Sequence, residues 1–383
     1  MKKIISILMS VIISFACISL GANACFEKGG DSKTLRFNND GSFKILQVSD
    51  IQDTPYMAPI IADYLESICK SEKPDLIVLT GDNIGKSCGK AATQEIAELQ
   101  VIKGIDAFMS VFQKLNIPVA AVFGNHDSEN RVAKETQMKD YSRYSCFVGY
   151  DADSSLDGCG TYNLPILSSS SDKVAYNLWM LDSNMYDGDG YDNVHQNQVD
   201  WYVKKSNELK AANGGVPVDS MAFQHIIVNE IYDAVNTGVL KSGGVNETPN
   251  ASAKRSSEFS AMLNQGDVRA MFFGHDHENT FTIGYKGIDL VATPAAGFTL
   301  SSDNRGVRVI TINEKDTSTY SSHVINYKET FCTDKLSTMR YLMNAADQGE
   351  NVQRKNTISY FFLAQLHGVS FFKVVYEIIC TVM

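Results

Sequence analysis

Five apolar runs in this chain end in residues that bind metal ions. Ile45-Leu46-Gln47-Val48 leads to Asp50 and Gln52, and Leu76-Ile77-Val78-Leu79 leads to Gly81-Asp82-Asn83. Val119 to Phe123 leads to Gly124-Asn125-His126-Asp127, and Met221-Ala222-Phe223 leads to His225. The fifth run, Met271-Phe272-Phe273, leads to Gly274-His275-Asp276-His277. His275 and His277 are two residues apart, and residues i and i+2 of an extended segment point the same way. The donors are carboxylate, amide and imidazole, without thiolate. That set suits Mn, Fe or Zn and excludes a thiolate-type structural zinc. One ligand per candidate gives Asp50, Gln52, Asp82, Asn125, His225, His275 and His277. Such a set, with one residue shared, suffices for two metals with open positions. A metal pair is a recurring device for in-line displacement at phosphorus.

The elements that must position these residues alternate along the chain. Lys44–Val48, Leu76–Thr80 and Val119–Phe123 read as strands. Between them, Ile60–Cys69 and Ala91–Leu115 read as amphipathic helices, the pattern of βαβ units. Val174–Leu181 and Asp219–Phe223 read as further strands, and Gln198–Ala211 and Ser256–Leu263 as helices. Five strand-like runs follow: Val268–Phe273, Phe281–Tyr285, Ile288–Ala292, Val307–Ile312 and Ser321–Tyr327. Alternation that gives way to β-rich sequence predicts two sheets covered by helices. In such sheets the carboxyl ends of the strands line the ligand crevice. Glycine before Asp82, Asn125 and His275 lets the backbone turn sharply and approach an ion closely. Ser154–Asn163, Asp187–Asn193 and Thr237–Ser257 read as loops, the last long and exposed.

Each fragment alone has a plainer explanation. Asp50 and Asp82 could cap helices, Asn125 could serve a turn, and a lone His225 could be a core histidine. Four of the seven histidines nevertheless fall in these motifs, which argues against coincidence. His195, His323 and His367 lack such a context.

The ordered series Asp50-x-Gln52, Gly81-Asp82, Gly124-Asn125-His126-Asp127, His225 and Gly274-His275-Asp276-His277 resembles the calcineurin-like metallophosphoesterase superfamily. The resemblance runs from about Leu35 to Tyr327. The stretch Phe43 to Asp53 is similar to a microbial branch related to the purple acid phosphatases. The resemblance implies a four-layer α/β/β/α sandwich with two central mixed β-sheets. It also implies that Asp50, Gln52, Asp82 and His277 hold the first metal. Asp82, Asn125, His225 and His275 would hold the second, with Asp82 bridging. His126 would contact the phosphate and assist the leaving oxygen, and Asp127 would orient His126.

Three positions depart from the pattern. Gln52 stands where the superfamily has histidine; its carbonyl oxygen is a weak ligand, and the neighbouring Asp53 is a potential substitute. Gly85 stands where purple acid phosphatases have a tyrosine ligand, so no phenolate comes from there. Lys86 stands where protein-phosphatase members have arginine, which counts against a phosphoprotein phosphatase. The implied activity is hydrolysis of phosphate esters, monoesters first, with two Mn, Fe or Zn ions activating water. The alternatives are a phosphodiesterase for nucleotides or lipid headgroups, and a catalytically weak binding protein that keeps the fold.

Residues 1–24 have the form of a secretory signal peptide: Lys2-Lys3, an apolar run, then Ala22-Asn23-Ala24. Residues 25–34 read as a linker, 35–330 as the phosphoesterase domain and 331–383 as a C-terminal extension. The chain has 383 residues and a net charge of −10. Removal of the leader leaves 32 basic against 44 acidic residues, so bulk charge disfavours nucleic acid and anionic membrane. The partner expected instead is a small phosphorylated substrate. Export permits disulfides, and Cys146 with Cys159 is the favoured pair. Asn246 and Asn250 begin glycosylation sequons. Thr357–Met383 reads as an amphipathic packing helix or appendage, with a membrane-associating tail as the alternative.

Overall fold

The computed structural model describes residues 34–52 and 57–382. The expected leader, most of the linker and Asp53 lie outside these residues.

Two mixed sheets face each other. The first carries β2 (Ser42–Val48), β3 (Leu76–Thr80), β4 (Val119–Val122), β14 (Gly306–Asn313) and β15 (Asp316–Asn326), in the order β15-β14-β2-β3-β4. The second is built from β1 (Leu35–Arg36), β5 (Tyr162–Leu167), β6 (Val174–Met180), β9 (Ser220–Phe223), β10 (Val239–Ser242), β11 (Val268–Phe273), β12 (Thr282–Tyr285) and β13 (Ile288–Ala292). Its order is β1-β5-β6-β9-β11-β13-β12-β10. Strands β2, β3 and β4 are parallel, as are β6, β9, β11 and β13.

The continuous apolar runs reflect burial on both faces. In β2, Phe43 and Ile45 enter the core between the sheets, while Leu46 and Val48 enter the core under the helices. In β11, Ala270 and Phe272 face the other sheet, and Met271 and Phe273 face the helices of their own side. Helices α1 (Pro59–Glu72) and α2 (Gln94–Leu115) cover the first sheet through Ile60, Leu65, Ile105 and Phe112. Short α3 (Asn125–Ser128) and α4 (Lys134–Tyr141) follow β4. Helices α5 (Gln196–Ala212), α6 (Ile231–Thr237) and α7 (Glu258–Gln265) cover the second sheet through Trp201, Ile231 and Phe259. The result is the expected four-layer α/β/β/α sandwich.

Polar ties cross between the sheets next to the strand ends. Gln47, fully buried in β2, donates to the Phe273 carbonyl at 3.3 Å and accepts from Thr293 at 2.7 Å. These bonds fix the exit of β2 against the exit of β11, the two strand ends that carry Asp50 and His275.

Several sequence expectations need correction. Thr237–Ser257 is not wholly loop: β10 pairs antiparallel with β12, supplying an exposed edge strand whose side chains bury little. Within Asp187–Asn193 lies part of a two-stranded hairpin, β7 (Tyr186–Asp187) with β8 (Gly190–Tyr191). Cys146 and Cys159 are buried thiols, not a disulfide.

The C-terminal extension is helical: α8 (Tyr327–Phe331), α9 (Lys335–Asn344), α10 (Glu350–Leu366) and α11 (Phe371–Val382). Asp334 caps α9 by accepting from the Ser337 N–H at 2.8 Å. Arg340 of α9 pairs with Glu377 of α11 at 2.8 Å and with Asp63 of α1 at 2.6 Å. Met343, Tyr360, Ala364 and Val374 make a small core of their own. Among the described residues, no helix is long and apolar enough to cross a membrane.

Candidate metal centre

Every expected ligand leaves the end of a strand, and most of the turns are backbone-strained. Asp50, Gln52, Asp82 and His275 have φ of 53°, 46°, 48° and 71°. Left-handed backbone at a non-glycine residue costs on the order of 1–3 kcal/mol and clusters at functional sites. Here the strain is held by cross-links between neighbouring exits. Asp50 N–H donates to the Gly81 carbonyl and Gln52 N–H to the Asp82 carbonyl, each at 3.1 Å. Gly81 has φ +88°, and a Cβ there would lie 2.7 Å from the His225 ring. Only glycine combines that backbone with that close approach.

Three of the predicted ligands converge tightly. Asp82, His225 and His275 are buried and offer donor atoms all within 4.8 Å of one another. His225 Nδ1 faces the Thr80 carbonyl at 2.9 Å, which leaves Nε2 directed at Asp82 Oδ2, 3.3 Å away. His275 Nδ1 lies 3.2 Å from the same Nε2. Asn125, at the start of α3, is buried and its Oδ1 has no protein partner. A buried carbonyl oxygen without a donor is costly unless something else satisfies it. Asp82, His225 and His275 are thus a candidate metal-binding group, and Asn125 stands beside them as the sequence expected for the second metal.

Burial alone would raise the Asp82 pKa, yet the neighbouring imidazoles of His225, His126 and His275 hold it well below the usual range. Burial pulls His225 down, but Asp82 and Asp50 outweigh it and leave the group at about 9. His275 is pushed down to about 3 by burial and by the charge of His225. A neutral imidazole keeps its lone pair for a metal.

The first-metal residues are also adjacent, but they are arranged differently. Asp50 accepts from Ser49 Oγ at 2.5 Å and from the His275 N–H at 3.0 Å, both through Oδ2. His277 Nε2 lies 3.8 Å from Asp50 Oδ1, with its side chain 30% exposed. Gln52 directs its amide nitrogen to Asp82 Oδ2 at 2.9 Å, with Asp50 Oδ1 at 3.5 Å.

His126 stands beside the centre. Its backbone N–H donates to Asp82 Oδ1 at 2.8 Å, and its Nε2 is 3.8 Å from Asp82 Oδ2. The residue that orients it is not the expected Asp127. Asp127 instead accepts the backbone N–H groups of Gly124 and Ile84, each at 2.8 Å, and so holds the turn. Burial and the charge of Asp82 push Asp127 up to about 7. The ring partner is Glu129, whose Oε2 lies 2.6 Å from His126 Nδ1. Tyr186 of the hairpin donates to Glu129 Oε1 at 2.9 Å, and Tyr191 packs edge-on against His275 at 4.2 Å. Sequence reasoning missed all three. The i, i+3 spacing of His126 and Glu129 on a short helix was the available signal for one of them.

A family model described as calcineurin-like phosphoesterase matches residues 43–279. The chain belongs to the calcineurin-like phosphoesterase family. As a member, it carries the family's metal-dependent phosphoric ester hydrolase architecture, and the matched span contains every candidate ligand. It is 31% identical over 333 residues to an Arabidopsis thaliana protein named "Probable inactive purple acid phosphatase 14", covering 78% of this chain and 80% of that one. It is 26% identical over 291 residues to "Phosphatase DCR2" of Saccharomyces cerevisiae, covering 66% of this chain and 47% of that protein. A solved dimetal phosphatase from Danio rerio aligns with a TM-score of 0.49 at 12% identity, over 74% of this chain and 99% of that one.

Proposed function

We propose that this chain is an exported, metal-dependent phosphatase acting on phosphate monoesters. The observation that carries the reading is the convergence of Asp82, His225 and His275 with the unpartnered Asn125 Oδ1, beside His126. Those four residues would hold a transition-metal ion, which when bound neutralises phosphoryl charge and acidifies water. The chain's own groups do the rest. His126, fixed through Nδ1 by Glu129, keeps Nε2 facing the centre and delivers its proton there to the departing ester oxygen. The P–O bond to the alcohol breaks as water's oxygen joins phosphorus; the leaving alcohol takes the His126 proton, and the proton that water gives up goes to solvent, from which His126 is reprotonated. Tyr191 packs edge-on against the ring of His275, and Tyr186 stacks on Tyr191.

The test is a panel of monoesters and diesters assayed with Mn, Fe and Zn on the wild type and His126→Ala. Monoester turnover is expected, with the variant slower on alkyl phosphates by roughly 10²–10⁴-fold and unchanged in metal content. Preference for diesters would replace the monoester reading with a phosphodiesterase. A second reading, a binding protein that keeps the fold without turnover, is favoured by the Gln52 amide on Asp82 and by the relative's name. Metal-dependent turnover that falls in His126→Ala would sink it.

A further inference from the structure

The two halves of the centre are built differently. In the Asp82, Asn125, His225 and His275 half, the ligand atoms of Asp82, His225 and His275 lie within 4.8 Å of one another and the Asn125 amide oxygen has no protein partner. In the Asp50, Gln52, Asp82 and His277 half, a hydrogen-bond donor already faces the carboxylates. Gln52 Nε2 donates to Asp82 Oδ2 at 2.9 Å and lies 3.5 Å from Asp50 Oδ1.

The orientation of that amide follows from charge. Rotating it by half a turn would put Oε1 where Nε2 now sits, 2.9 Å from a carboxylate oxygen, with repulsion and no donor between them. Gln52 is buried, its backbone is left-handed, and its N–H and carbonyl are tied to the Asp82 carbonyl and Thr299 Oγ1. Among the described residues, an ion entering this half has to break the Gln52–Asp82 bond, and Gln52 then offers it a neutral amide oxygen. A histidine at position 52 would have offered a nitrogen lone pair. The remaining imidazole, His277, is partly open to solvent and held less firmly.

We propose that this chain is a one-ion phosphoesterase at rest. The resident ion sits on Asp82, Asn125, His225 and His275, while the neutral Gln52 amide stands at the first metal's place as a hydrogen-bond donor to Asp82. The proposal rests on the metal-centre reading above and replaces the two ions that the family resemblance implies by one. Among the described residues, the donor set of the first position does not fit a resident metal, and no chemical step is assigned to one there.

The experiment is elemental analysis of the full chain after loading with excess Mn, Fe or Zn and exhaustive dialysis, on the wild type and Gln52→His. One ion per wild-type chain and two per Gln52→His chain are expected, the added ion binding at least roughly 10–100-fold more tightly than in wild type. Mn(II)-loaded wild type is expected to give the electron paramagnetic resonance pattern of an isolated ion, which stands even if Gln52→His fails to fold. Two retained ions in wild type, or the exchange-coupled spectrum of a manganese pair, overturn the proposal and leave the proposed function intact. No retained ion under any loading overturns both.

Discussion

Replacing Glu129 by glutamine tests whether the residue that holds His126 matters to chemistry. The Glu129 Oε2 to His126 Nδ1 contact is 2.6 Å, between side chains only 27% and 18% exposed. A hydrogen bond with a charged partner is worth about 1.5–3 kcal/mol, and tenfold in rate is about 1.4 kcal/mol. Glutamine keeps the shape and can still accept from Nδ1–H, but it loses the charge. The lower end, roughly tenfold in kcat, is therefore expected for Glu129→Gln, and roughly 100-fold for Glu129→Ala. The loss should depend on the leaving group. An alkyl phosphate leaves as a strongly basic oxygen and needs the His126 proton, whereas p-nitrophenyl phosphate does not. The assay is kcat on both substrates at saturating metal, with thermal unfolding as a check on the fold. Equal losses on the two substrates would mean that Glu129 supports the metal centre or the fold, not proton delivery. No loss on the alkyl substrate would refute the reasoning outright.

Two further outcomes are expected. Gly124→Ala places a Cβ 2.2 Å from Asp82 Oδ1 and 2.8 Å from the His225 ring, so metal affinity should fall by roughly 10–100-fold, read by competition with a chromophoric chelator. Glu258 is fully buried at the start of α7 with Oε1 unpartnered, and burial pushes its pKa up to about 8. The folded state therefore holds a proton that the unfolded chain releases near its ordinary value of 4.5, so stability is fullest below that value and falls as pH rises towards 8. Glu258→Gln should flatten this fall and raise the urea midpoint at pH 8; an unchanged pH slope would contradict the assignment.

The family signature was legible because it is local. Each ligand follows an apolar strand directly, so composition and spacing expose it without knowledge of the fold. The helices over Ile60–Cys69 and Gln198–Ala211 were legible because one face of each is apolar. Strand β10 was not, because its residues are exposed and its only support is pairing with β12. The break between α10 and α11 was hidden by an apolar stretch whose partners, Arg340 and Met343, lie earlier in the chain.

Sequence alone determined the class of donors, their order, and the two-sheet scaffold whose strand ends present them. It also singled out position 52 as the one ligand that departs from the pattern. Tertiary structure decided what these residues do to each other. Glu129, not Asp127, holds the His126 ring, because Asp127 is consumed by the backbone of its own turn and of the neighbouring strand exit. The hairpin tyrosines reach the centre across chain separations that no spacing rule covers. Whether Gln52 faces the carboxylates as a donor or an acceptor is likewise fixed by two acidic groups from different strands, brought together only when the sheet forms.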